Sequence, residues 1–136
     1  NWLPDLKPWA RVIARHLKPG GRFHMVEFHP MISMLDEDAR EITSGYFNSG
    51  EALRFESTAS YAGGEDAPIE SYEWPHSLAE IVQALLDAGL TLTSLREFPY
   101  CVHNCWKFLV ESEPGRYVVK HHPGKLPLLF SISARK

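Results

Sequence analysis

The segment Leu17-Lys18-Pro19-Gly20-Gly21 constrains the fold more than any other part of the sequence. Proline has no N–H to donate and glycine accepts left-handed backbone, so this turn ends a helix abruptly. Directly behind it stands Arg-Phe-His-Met-Val-Glu-Phe, residues 22 to 28. That run mixes alternation with near-continuous apolarity, the pattern of a strand covered on both faces. A helix that feeds straight into a buried strand implies a layered α/β arrangement.

The helix itself is legible upstream. Asp5 is placed to cap it, and Pro8 is tolerated only in its first turn. Leu6, Trp9, Val12, Ile13 and Leu17 recur at helical spacing and are expected to form one apolar face. Arg15, Lys18 and a protonated His16 complement the negative end of the helix dipole. His29-Pro30 ends the strand.

Beyond it, Asp36 to Thr43 reads as a short helix and Gly45 to Gly50 as loop. Ala52 to Ser60 alternates, Ala62 to Pro68 contains Gly63-Gly64, and Ile69 to Trp74 is a second strand-like run. Together they predict an antiparallel hairpin. Ser77 with Glu80 is a capping box, and it opens a helix ending at Gly89. Leu78, Ile81, Val82, Leu85 and Leu86 are its expected buried stripe. Strands are expected at Leu90 to Phe98, Trp106 to Val110 and Leu126 to Ala134, with turns at Pro114-Gly115 and Pro123-Gly124. The last strand arrives without a crossover helix, which favours antiparallel pairing.

This order, with its particular residues, resembles the C-terminal half of class I S-adenosylmethionine-dependent methyltransferases. The Leu-x-Pro-Gly-Gly turn resembles the family's approach to its fifth strand. Ala84-Leu85-Leu86-Asp87-Ala88-Gly89-Leu90 resembles the last helix and the start of strand 6. Leu128, Phe130, Ile132 and Ala134 resemble strand 7, and Trp2-Leu3-Pro4-Asp5 the stretch after strand 4. The resemblance implies strands equivalent to 5-7-6 with the last antiparallel, plus a small hairpin insert. It divides the chain, as one partial domain over 1–136, into helix and strand 5 (1–30), insert or lid (31–76), and last helix with strands 6 and 7 (77–136). It implies S-adenosylmethionine as cofactor of the full-length protein and a small-molecule methyl acceptor. The family's Gly-x-Gly-x-Gly loop after strand 1 is missing, as is its acidic residue after strand 2. The chain is therefore expected to be part of a longer product, to bind the cofactor weakly or not at all, and to be inactive alone.

The same resemblance nominates site residues. Asn1, Trp2 and Leu3 match positions near the cofactor's sulfonium end; otherwise they are a frayed terminus with Trp2 packed in the core. Glu27 and His29 stand at the carboxyl end of strand 5, where open α/β sheets bind ligands. His29 is a general-base candidate for an acceptor hydroxyl or amine, or merely a cap beside Pro30. Methyl transfer is an in-line displacement that depends mostly on positioning, so no acid–base dyad is demanded and no catalytic residue is named. Tyr72, Trp74 and His76, with Glu73, form either an aromatic box over substrate or sulfonium or a hairpin packed on the following helix. Phe98 and Tyr100 are core or pocket wall. Cys101, His103 and Cys105 alternate and would share one side of a strand; with His121 and His122 they are a metal pattern without its usual framing, and no metal is assigned.

Bulk properties narrow the field further. The chain has 136 residues, 44 % hydrophobic, enough for one domain with a real core. Net charge is −3 and the pI about 6.2. Lysine and arginine are scattered along the sequence, so neither nucleic acid nor an acidic membrane is an expected partner. No apolar run approaches the roughly 18 residues of a membrane span. Two cysteines are too few for a disulfide framework, and a cytoplasmic setting is expected. If strand 4 is absent, strand 5 has an unpaired edge, and a homodimer through that edge is expected. Two alternatives stand beside the enzyme portion: a non-catalytic dimerisation or binding module, and a small metal-binding domain.

Overall fold

A computed structural model of the chain describes residues 1–57 and 69–136. The Gly63-Gly64 turn lies outside the described residues. In chain order the elements are α1 (Leu6–His16), β1 (Arg22–Phe28), a 3-10 turn (Pro30–Met34), β2 (Leu53–Ser57), β3 (Ile69–Glu73), α2 (Leu78–Asp87), β4 (Thr91–Phe98), β5 (Leu109–Glu113), β6 (Arg116–Val119) and β7 (Leu129–Arg135).

The Asp5 carboxylate caps α1 by accepting from the Lys7 N–H at 2.8 Å. At the other end both glycines are required. Gly20 has φ +75°, and a Cβ on Gly21 would lie 2.7 Å from the Lys18 carbonyl oxygen. The turn is pinned to the end of β7: the Gly20 N–H donates to the Lys136 carbonyl (2.9 Å) and the Lys136 N–H to that of Gly21 (3.0 Å).

β7, last in sequence, is central in space. The main sheet runs β1-β7-β4, with β7 antiparallel to both neighbours, so β1 and β4 are parallel to each other. Phe130, Ile132 and Ala134 of β7 face the helices, where they meet Ala10 of α1, Ala84 and Leu85 of α2, and Leu90. Phe23, Met25 and Leu92 complete that layer. Burying Phe130 alone contributes about 2–3 kcal/mol. A second core gathers Ile32, Ala39, Cys101, Phe108, Leu109, Val119, Leu128 and Leu129. It joins the 3-10 turn to the β5–β6 hairpin beyond one end of the sheet.

Several expectations are corrected. Val12 is 56 % exposed and Leu86 42 % exposed. One helical step turns the chain by roughly 100°, which carries each of them off the face centred on its neighbours Ile13 and Leu85. β1 is covered on one face only: Phe23 and Met25 are half-buried, while Val26 and Phe28 are exposed. Asp36 to Thr43 is not a helix. There the Asp36 carboxylate accepts the N–H groups of Arg40 (2.6 Å) and Glu41 (3.0 Å). A side chain that satisfies backbone donors this way competes with helix formation. These bonds also hold the Asp36 carboxyl below its usual pKa, the Glu41 N–H first and the Arg40 N–H next. Trp106 to Phe108 precedes the strand rather than beginning it, and Pro127 stands outside β7. The hairpin β2–β3 forms with Leu53 opposite Glu73 and Arg54 opposite Tyr72.

Candidate functional site

The carboxyl end of β1 delivers His29 into a buried setting, 6 % exposed. Its backbone N–H donates to the Leu128 carbonyl at 2.9 Å. The ring Nδ1 accepts from the Met31 N–H at 3.1 Å and so caps the 3-10 turn. That assignment leaves the ring proton on Nε2, which donates to Glu97 Oε1 at 2.8 Å. Phe130 meets the imidazole edge to face, with centroids 6.3 Å apart. Burial lowers the His29 pKa, and the hydrogen bond and charge of Glu97 oppose that shift only in part. The neutral ring is thus held at both nitrogens. To accept a substrate proton it must first release one of these partners.

Glu27 and Glu97 flank Phe130 in the register of the sheet. Glu27 is exposed and accepts from the Phe28 N–H at 2.8 Å. Glu97 is the site residue that sequence reasoning missed. It lies 68 residues from His29, and nothing local in Arg96-Glu97-Phe98 marks it.

A second cluster joins the amino-terminal residues to the end of β3. Asn1 Nδ2 donates to Glu73 Oε2 at 2.6 Å, and Trp2 Nε1 to Glu73 Oε1 at 3.3 Å. The Trp74 N–H donates to the Asn1 carbonyl at 2.7 Å. His76 is 7 % exposed; its Nε2 donates to the Leu3 carbonyl at 2.7 Å. Its Nδ1 is then the acceptor facing Asn48 Nδ2 at 3.4 Å, and the same amide reaches the Pro4 carbonyl at 3.4 Å. Next in sequence, Ser77 accepts from the Glu80 N–H (3.2 Å), while Glu80 accepts from the Ser77 N–H (2.9 Å). Tyr46 adds its hydroxyl as acceptor for the Leu78 N–H at 3.1 Å.

Asn1, Trp2 and Leu3 are therefore brought together with Trp74 and His76, and Glu73 and Asn48 tie them. Tyr72 stands apart. Its hydroxyl donates to Glu70 at 2.5 Å, which with the Glu70 charge raises the phenol's pKa. Among the described residues no ring pair links Trp2, Tyr72 and Trp74; the rings that do pair include Phe28 with Trp106 (4.7 Å) and Trp106 with Phe108 (5.6 Å). Trp2 is 68 % exposed, not core. Beside the cluster, a cavity of about 170 Å³ is bounded by Pro4, Asp5, Asn48, His76, Glu80 and Gln83. It is smaller than the roughly 300–1,000 Å³ that a small-molecule site occupies.

Phe98 packs against the second core, and the Arg116 guanidinium sits 4.6 Å from the centre of the Tyr100 ring. Cys101 and Cys105 do not lie on one strand. Cys101 is buried and bridged to Tyr117, whereas Cys105 is exposed in a loop with its Sγ 3.8 Å from that of Cys101. Burial, then the neighbouring Cys101, pushes the Cys105 thiol up to about 12. His121 Nε2 accepts from Arg40 at 3.3 Å. Among the described residues no three His, Cys, Asp or Glu side chains are arranged to hold a metal ion. No helix among them is long and apolar enough to cross a membrane.

No family model matches the chain, and no curated protein matches it. Solved structures do. An S-adenosylmethionine-dependent methyltransferase assignment from Listeria monocytogenes aligns over 99 % of this chain and 56 % of its own length, with TM-score 0.53 and 16 % identity. An S-adenosylmethionine-dependent methyltransferase from Mesorhizobium loti aligns over 99 % of this chain and 57 % of its own, with TM-score 0.51 and 13 % identity. The chain thus shares a fold with these proteins and spans a little over half their length.

Proposed function

We propose that this chain is the acceptor-side portion of an S-adenosylmethionine-dependent methyltransferase fold, with β1, β7 and β4 equivalent to the family's strands 5, 7 and 6. The observation that carries the reading is the sheet order β1-β7-β4 with its antiparallel centre. It is supported by the fold shared with the two methyltransferase structures. On this reading the segment 31–76 is a cap at the carboxyl end of β1, and the acceptor is a small molecule. Glu27, the His29–Glu97 pair, Trp74 and His76 line or brace its pocket. Tyr72 belongs to the exposed rim of the hairpin.

S-adenosylmethionine would supply the activated methyl group. The residues present do not build its cradle. The carbonyls of Asn1, Leu3 and Pro4 are taken by Trp74, His76 and Asn48, and no Gly-x-Gly-x-Gly loop occurs in the sequence. What the chain's own groups do is orient and exclude water: His29 and His76 are buried braces. The expected outcome of calorimetry is therefore no S-adenosylmethionine binding by this chain tighter than about 1 mM, the weak end of measurable affinity. Micromolar binding would overturn this division of labour. Transfer of labelled methyl by the chain extended with its upstream coding sequence, and not by the chain alone, is the positive test.

A second reading, a non-catalytic dimerisation module, is favoured by β1. Among the described residues its other edge has no partner strand, and Val26 and Phe28 beside that edge are exposed. A second copy of the chain is the partner this edge suits.

A further inference from the structure

We infer that the end of the sheet opposite His29 is a phosphate-binding site, independent of the methyltransferase reading. The whole chain is net acidic, at −3. Yet residues 14–26 and 129–136, which meet at this end, contain no carboxylate side chain, while they carry Arg15, Lys18, Arg22, Arg135 and Lys136. Cations that are scattered in sequence are collected by the fold, because the turn at Gly20-Gly21 is bonded to Lys136.

At the centre of this end, Arg22 and Arg135 stand directly opposite each other across the β1–β7 pair. Like charges in that position repel and destabilise a sheet unless something neutralises them. No carboxylate forms an ion pair with either arginine among the described residues. Both arginines line a concavity of about 540 Å³ on the sheet, shared with His24, Thr93, Ser94 and Ser133. Phe23 and Ala134 complete the lining, so the polar groups of the hollow are the two guanidiniums, one imidazole and three hydroxyls. His24 Nδ1 is 2.8 Å from Ser133 Oγ, which fixes the ring and leaves Nε2 for a ligand. Opposite it the register of β4 shifts between Leu92 and Ser94. Such a bulge inserts an extra residue, here Thr93, and re-aims side chains. Two guanidinium forks, one imidazole and three hydroxyls around one hollow match the oxygens of a phosphate dianion, free or esterified.

Inorganic phosphate is the probe. Titrated against the intact chain at constant ionic strength, it is expected to shift the His24 ring resonances and to raise the unfolding midpoint by about 4 °C at ten times its dissociation constant. Sodium chloride is expected to do neither. Arg22→Gln and Arg135→Gln each weaken phosphate binding at least tenfold, and Lys120→Gln, far from the hollow, does not. In chloride alone both arginine variants are at least as stable as the parent, since each removes a repulsion. Equal effects of phosphate and chloride on the parent, or undiminished phosphate binding in both arginine variants, overturn the inference. The His24 titration reads the parent protein directly, so the test stands even where a variant fails to fold.

Discussion

At the residue scale, the site turns on how His29 is held. Its position behind Phe28 and before Pro30 was legible in the sequence, because a proline ends a strand and a histidine there stands at the ligand-binding edge of an α/β sheet. Its partner was not, because Glu97 comes from the far edge strand. Burial first, offset in part by Glu97, lowers the His29 pKa below the ordinary value of about 6.5. An unfolded histidine therefore binds its proton at a higher pH than the folded one. The contribution of His29 to stability is complete above about pH 6.5 and is lost as pH falls through the folded-state value. Urea denaturation of the parent and of His29→Gln is expected to show a stability gap that narrows on acidification from about pH 7.5 to about pH 5. A gap that holds constant or widens would sink the assignment of a neutral, buried ring.

At the element scale, the legible features were those whose physics is local. The capping box at Ser77 and Glu80, the glycine stop at Gly89 with φ +84°, and the turn into β1 are each set by a few adjacent residues. Ser77→Ala is expected to cost about 1 kcal/mol in chemical denaturation. Gly21→Ala is expected to cost more than a surface substitution, because its Cβ would press on the fixed Lys18 carbonyl. A midpoint unchanged within error would falsify that crowding. What escaped was non-local or competitive. Asp36 bonds its own loop backbone instead of a helix, and the face of α1 omits Val12 because Ala10 takes the buried place. Alternation at Cys101, His103 and Cys105 suggested a strand, but among the described residues there is no ladder partner beyond the Cys101–Tyr117 bridge.

At the scale of the whole molecule, the sequence conveyed the α/β layering and the order of elements, while the collection of cations at one end became visible only in three dimensions. The same scale governs association. With β1 open on one edge and Val26 exposed, light scattering at micromolar concentration is expected to give twice the 15.5 kDa chain mass. Val26→Lys is expected to shift the population towards monomer, since a charge on an edge strand opposes edge-to-edge pairing. A parent protein that stays monomeric across the concentration range would remove the dimerisation reading and leave the methyltransferase reading untouched.

The central place of β7 has a consequence for how the molecule comes to exist. His24 and Ser133 meet across 109 residues, and β1 has no sheet partner among the described residues until β7 joins it. During synthesis α1 and β1 therefore precede by more than a hundred residues the strand that joins them to β4. Closing so long a span is slow, and the interval is when such a chain aggregates. Assembly of this sheet is then a single event, in which β1 and β4 become neighbours through β7.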